Sequence, residues 1–162
     1  MKSLLCSAAI GILCLFISCK DSPTTDGNSA GNSQNEKNLT INRTFFKVFE
    51  TGDISNVKNL ILSDAVDHYP LNGMDVKGPD SILNMYADFH NHIKDLKVDI
   101  IADAANEDYV IALAQVTGTA TDAMMGGAGT KIDEKGVDVT RYKDGKMAEH
   151  WGFVFKENKS LQ

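Results

Sequence analysis

The chain is short of several things that would have narrowed its chemistry. It has three cysteines, Cys6, Cys14 and Cys19, and all lie near the N-terminus. Beyond Cys19 there is no disulfide framework, no thiolate metal site and no cysteine nucleophile. The folded part must be held by its core alone, and at roughly 120 residues it is long enough for that. Positive charge is also scarce, with 16 Lys and Arg against 22 Asp and Glu, a net charge of −6. No basic stripe is present to neutralise phosphates, so nucleic acid is not expected as a partner. No Gly-x-Ser-x-Gly elbow occurs, and there is no internal repeat. The glycine-rich stretch Met124-Met125-Gly126-Gly127-Ala128-Gly129 lacks the strand-to-helix context of a phosphate cradle and reads as a loop. His90-Asn91-His92 offers two imidazoles, but residues two apart on a helix point to different sides. No metal and no other cofactor is expected.

The first residues look like an export signal. Lys2 precedes an apolar run from Leu4 to Ile17, too short for a comfortable membrane span. Ser18-Cys19 at its end resembles a bacterial lipobox, with Phe16 where leucine is usual. That resemblance implies cleavage before Cys19 and lipidation of its thiol; Cys14, preceded by the bulky Leu13, is a poorer candidate. The expected location is therefore the bacterial cell envelope, with the protein anchored to the membrane (outer membrane, periplasmic or surface-exposed) through a lipid on Cys19. Lys20-Asp21 also resembles a surface-export signal of some Bacteroidetes lipoproteins. From Cys19 to Asn38 the chain is rich in Ser, Thr, Asn, Gly and Gln, with no apolar face to bury, and reads as a disordered tether. The expected organisation is a signal peptide at 1–18, a tether at 19–38, a domain at 39–157 and a tail at 158–162.

Helical signals open the domain. Ile41, Phe45, Val48 and Phe49 share a helical face that stops at Gly52; Asp53 is placed to cap a short second helix with Ile54, Val57 and Ile61. Ala65 to Tyr69 reads as a brief extended piece closed by Pro70. Gly78-Pro79 opens a third helix whose apolar face is Ile82, Met85, Tyr86, Phe89 and Ile93. The pattern then turns to strands over 97–102, 109–119 and from about Thr130 to Phe155. Within the last stretch, Asp144-Gly145 between β-rich runs is a strong hairpin signal. Helices followed by consecutive strands predict an α+β domain, an antiparallel sheet covered on one face by helices.

Several short motifs in order carry a family resemblance. They are Gly52-Asp53, Asp67-His68-Tyr69-Pro70, Lys77-Gly78-Pro79, Gly129-Thr130-Lys131, Asp138-Val139-Thr140-Arg141-Tyr142, and Asp144-Gly145-Lys146-Met147-Ala148-Glu149-His150-Trp151. Over about residues 41 to 155 the chain resembles the SnoaL-like branch of the NTF2-like superfamily. The resemblance implies a cone, a strongly curved antiparallel sheet around a deep apolar pocket closed by N-terminal helices. It also implies a possible homodimer packed sheet to sheet. SnoaL-like cyclases usually carry a general acid or base aspartate immediately after the tryptophan, and here that position is Gly152.

Two functions follow as expectations. The first is a module binding a small apolar molecule without chemistry, which Gly152 favours. The second is a cyclase, isomerase or hydrolase type of enzyme in which His68, Asp138 or His150 shuttles a proton. A third class is an interaction domain using its exposed sheet. Tyr69, Tyr86, Met125, Glu149 and Trp151 are the candidate ligand contacts, although Glu149 also suits an ion pair with Arg141. The hairpin register is open. A three-residue loop sets Asp138 opposite His150, and a two-residue loop sets it opposite Trp151. Alternation favours Val137, Val139, Met147, Trp151 and Phe153 on a buried face, whereas the resemblance implies Asp138, His150 and Gly152 toward the cavity. A one-residue slip exchanges the two.

Overall fold

A computed structural model describes residues 27–69 and 73–154, with side chains from Gly31 onward and without that of Tyr69. Helix α1 spans Gly27–Thr51, and a 3-10 turn at Lys58–Leu60 leads into strand β1, Ile61–Tyr69. Strand β2 (Met74–Lys77) and helix α2 (Pro79–Asn91) follow. Strands β3 (Ile93–Ala105) and β4 (Tyr109–Ala120), a second 3-10 turn at Ala123–Met125, and strands β5 (Lys131–Lys143) and β6 (Lys146–Val154) complete the domain. The six strands form one curved sheet in the order β2-β1-β6-β5-β4-β3. Among the described residues no helix is long and apolar enough to cross a membrane. The candidate signal segment, Cys19 and the C-terminal tail lie outside the described residues.

The α+β class stands, with one change. The sheet is mixed, because β1 runs parallel to β6, with Asp67 beside His150 and His68 beside Trp151. A parallel pair needs a crossover between its strands, and here everything from β2 to β5 intervenes. The short helix expected from Asp53 to Ile61 is absent apart from the 3-10 turn. Val57 is buried as expected, but Ile61 already belongs to β1. Helix α1 also begins well inside the stretch expected to be a tether. Its early turns are docked by amides rather than by an apolar stripe: fully buried Asn38 donates to the Glu107 carbonyl at 3.0 Å and accepts from Gln34 at 2.9 Å. Such contacts leave no trace in hydrophobic periodicity.

Both helices pack on the concave face. Phe45 and Val48 of α1 meet Ile82, Leu83 and Tyr86 of α2 over Ala65, Val110, Tyr142 and Met147 of the sheet. Gly78 precedes α2 at φ +81°, which glycine adopts freely, and Pro79 starts the helix where a missing N–H costs nothing. The β5–β6 turn has positive φ at both Asp144 (54°) and Gly145 (71°), the geometry that favours Asp-Gly in tight hairpins.

That hairpin register decides what faces the cavity. At the tip Lys143 pairs with Lys146 and Tyr142 with Met147, as a two-residue loop requires. One residue further the register shifts: Arg141 pairs with Glu149, so Ala148 is the extra residue of a β-bulge. Asp138 therefore lies opposite Gly152, which neither expected register foresaw. The bulge also resolves the conflict between the two faces. Met147 before it and His150 after it both point inward, although their spacing is odd.

Candidate functional site

Four elements converge polar side chains on the concave face. β1 supplies Asp67, β6 supplies His150, β5 supplies Asp138 and α2 supplies Tyr86. His150 Nδ1 lies 2.9 Å from Asp67 Oδ2, and its Nε2 lies 2.9 Å from Asp138 Oδ1. The Tyr86 hydroxyl donates to Asp67 Oδ2 at 2.6 Å. The result is a continuous chain from Tyr86 through Asp67 and His150 to Asp138.

The electrostatics follow from this order. Both ring nitrogens face carboxylates, so the doubly protonated imidazolium satisfies both. Burial opposes the charge on His150, but hydrogen bonds to Asp138 and Asp67, with their negative charges, outweigh it and raise its pKa to about 10. Burial, followed by the charge of Asp67, pushes the Tyr86 phenol well above its usual range, so it stays a neutral donor. Asp67 is sealed, with its side chain 2% exposed, whereas that of Asp138 is 22% exposed. Asp138 is thus the end of the chain that a ligand can reach. Its Oδ2 has no hydrogen-bond partner among the described residues.

That end opens into a cavity of about 160 Å³, walled mainly by Phe46, Phe49, Met85, Phe89, Val116 and Met125. Asp67, Asp138 and His150 share the lining, so an ionisable set sits in an otherwise apolar chamber. A wider open groove of about 1160 Å³ runs between the first half of α1 and the β5–β6 turn. Its Arg141 is already paired with Glu149, and the groove is open surface without converging groups. Among the described residues no group of three His, Cys, Asp or Glu is placed to hold a metal ion.

Of the residues singled out in the sequence, the cavity gathers Asp138, His150, Tyr86 and Met125. Three others lie on the opposite face. His68 follows Asp67 in β1 and alternation turns it outward, where it stacks on Trp151 (ring centroids 4.9 Å apart) and pairs with Asp75 at 3.0 Å. Trp151 follows His150 and is turned out by the same rule. Glu149 is bonded to Arg141 at 2.9 Å, and that guanidinium lowers its pKa. None of the three is a cavity contact. Tyr69 closes β1. Asp67 was missed, although it stands in the same motif as His68. It is 1% exposed, and a buried aspartate is uncommon without a partner.

Gly152 now acquires a structural meaning. A Cβ there would lie 3.6 Å from Asp138 Oδ1 and 3.9 Å from His150 Cε1. The Asp138 carboxylate thus reaches, from the neighbouring strand, the space that a side chain at 152 would enter.

A curved six-stranded sheet with two helices on its concave face and a polar set in the resulting chamber defines the NTF2-like fold. The family model described as SnoaL-like polyketide cyclase matches residues 39–155, and the chain belongs to that family. Solved structures agree on the fold. A putative SnoaL-like polyketide cyclase from Jannaschia sp. CCS1 superposes with TM-score 0.64 at 17% identity, over 74% of this chain and 86% of that one. Bal32a from a soil-derived mobile gene cassette gives 0.64 at 20% identity, over 76% and 92%. IdmH, a putative polyketide cyclase from Streptomyces antibioticus, gives 0.62 at 20% identity, over 72% and 91%. No curated protein matches the chain.

Proposed function

We propose that the domain catalyses proton transfer on a small, mainly apolar carbonyl compound, the chemistry common to cyclases and isomerases, with Asp138 as the general base and acid. The observation that carries this reading is the hydrogen-bonded series Tyr86–Asp67–His150–Asp138 ending at an accessible carboxylate in an apolar chamber. His150 has both nitrogens engaged and holds its proton up to about pH 10. It therefore acts as a positioning residue, and the proton moves at Asp138. In the forward step a C–H bond next to the substrate carbonyl breaks, the proton goes to Asp138 Oδ2 and the electron pair delocalises as an enolate. The enolate charge replaces that of the now neutral Asp138 carboxyl, so the chamber gains no net negative charge. Return of the proton, or attack of the enolate carbon on a second carbonyl within the same molecule, completes an isomerisation or a ring closure. Walls of Phe46, Phe49 and Phe89 exclude water from the intermediate.

The test is exchange of α-protons for deuterium in small aryl ketones, followed by NMR, with the Asp138→Asn variant beside the parent. Exchange that depends on Asp138 supports the reading, whereas ligand binding with no exchange in either protein returns the domain to a non-catalytic binding module. Gly152, in place of the cyclases' usual aspartate, is the feature that favours that second reading.

Location and assembly complete the proposal. Cys19, at the end of an export-like segment, is the lipid attachment site that holds the protein in the cell envelope. Cys19→Ala is expected to move the protein from the membrane to the soluble fraction, because one lost anchor has no apolar substitute in the residues that follow. A variant that is processed yet stays membrane-bound in high salt would refute the anchor.

The outer face of the sheet is the candidate homodimer surface. Its cross-strand rows are apolar: Ile111, Val139 and Trp151 in one, Leu113, Val137 and Phe153 in the next. Ile111 is 51% exposed and Phe153 55%. A patch of this kind on a soluble domain marks an association surface. Ile111→Lys is expected to convert a dimer to monomer in analytical ultracentrifugation without lowering the melting temperature of the fold. A parent protein that is already monomeric at high concentration would remove the dimer.

A further inference from the structure

The charge of the cavity bears on what it holds. Its deep part contains two carboxylates, Asp67 and Asp138, and a single imidazole, His150. With the imidazole protonated the floor carries one excess negative charge; with it neutral, two. At the rim Glu134 and Lys135 add one charge of each sign, without an ion pair between them. In the deep part no positive side chain other than His150 stands beside Asp138 to meet an anion. A ligand carboxylate or phosphate entering here would lose its hydration beside Asp138 with no compensating partner, which is strongly unfavourable in an apolar chamber.

The walls point the same way. Phe49 lies against Tyr86 with ring centroids 4.1 Å apart and meets Phe89 edge-on at 5.7 Å. Phe46 lines the same chamber from one turn earlier on α1. Rings at differing tilts around a small volume present both edges and negative faces, and ring faces attract cations. Asp138 Oδ2, in the same lining, has no hydrogen-bond partner among the described residues.

We propose that the occupant of this cavity is a compact apolar molecule bearing a basic nitrogen, whose ammonium lies against Asp138 among the rings of Phe46, Phe49 and Phe89. The selectivity rests on the reading of this chamber as the ligand site, and it names the charge class of the ligand. It does not depend on turnover. The chamber of about 160 Å³ limits the enclosed part to about one ring with a short chain, so larger ligands extend past the rim.

Three probes of matched size and different charge test this by calorimetry on the purified protein at neutral pH. They are N,N-dimethyl-3-phenylpropylamine (cationic), 3-phenylpropyl methyl ether (neutral) and 4-phenylbutyrate (anionic). The amine is expected to bind about 10-fold more tightly than the ether, the equivalent of one well-placed charge contact, and the butyrate more weakly than either. Asp138→Asn is expected to bring the amine down to the level of the ether and leave the ether unchanged, which also shows that the cavity has kept its shape. Phe89→Leu, which keeps apolar volume but removes a ring face, is expected to weaken the amine more than the ether. Equal binding of amine and ether, tighter binding of the butyrate, no binding of any probe at millimolar concentration, or an amine preference that survives Asp138→Asn would each overturn the proposal. Amine selectivity without deuterium exchange would overturn only the catalytic role, and exchange without amine selectivity only the present inference.

Discussion

Asp138→Asn is expected to reduce turnover by about 10²–10⁴-fold, the usual loss when a general acid or base is removed, while the protein folds and still admits a neutral ligand. The substitution keeps the size of the side chain, and its amide oxygen can still accept from His150 Nε2. It removes the proton-accepting group at the accessible end of the hydrogen-bonded series. Asp67→Asn at the far end of the chain has a different signature. Asp67 borders the cavity with only 2% of its side chain exposed, so its loss acts through the orientation of His150. A smaller fall in rate is expected, with a shifted pH profile and little change in KM. If Asp67→Asn reduced the rate by about 10²-fold or more while Asp138→Asn left it intact, the order of roles along the chain would have to be reversed. His68→Gln is the matching control. His68 lies on the outer face against Trp151 and Asp75, and its replacement is expected to leave the rate unchanged.

The fold was legible in the sequence where local signals agree. Pro79 after Gly78 marks the start of α2, its apolar face from Ile82 to Phe89 is the one that packs although Ile93, expected on it, already opens β3, and Asp144-Gly145 marks the β5–β6 turn. Non-local pairing left no such mark. Nothing in Ile61–Tyr69 indicates that it lies parallel to β6, since that pairing depends on the whole intervening chain. The docking of early α1 through Asn38 and Gln34 was invisible for another reason. Ser, Asn, Gly and Gln have the composition of a tether, and only the carbonyl of Glu107 makes Asn38 structural.

The site was legible in composition and illegible in register. Asp138 and His150 stood out as residues, but the bulge at Ala148 that places them on one face has no glycine or proline to announce it. At Asp67-His68 the difficulty is sharper. The two neighbours lie on opposite faces, and the run Ala65-Val66-Asp67-His68 has one apolar and one polar residue in each alternating set. Hydrophobic pattern therefore cannot choose between them, and the imidazole of His68 is by its chemistry the more suggestive proton carrier. A partner decides it: Asp67 meets His150 and Tyr86 inside, while His68 meets Trp151 outside.

The second large effect concerns His150 and stability. Removing one partner of a buried ionic set leaves the others uncompensated, at a typical cost of about 3–5 kcal/mol. His150→Leu leaves Asp67 and Asp138 facing each other across an apolar side chain, so a loss of this order is expected in urea denaturation. The pH dependence separates charge from packing. The folded-state pKa of His150 is raised, to about 10, above its ordinary value of 6.5. In the folded protein it binds a proton that the unfolded chain has already released across that interval. Its contribution is then fully present below about pH 6.5, declines as pH rises, and is gone once pH passes about 10. The slope in between approaches about 1.4 kcal/mol per pH unit for one proton. His150→Gln keeps polar contacts with the carboxylates but cannot titrate, so the stability difference between parent and variant is expected to be largest near pH 6 and to shrink steadily toward pH 10. Titrating groups that do not touch His150 are common to both proteins and cancel in that difference. A difference that stays constant from pH 6 to pH 10 would mean that His150 is neutral in the folded state. The proton would then be free to move along the series, and His150 would take over the role assigned to Asp138.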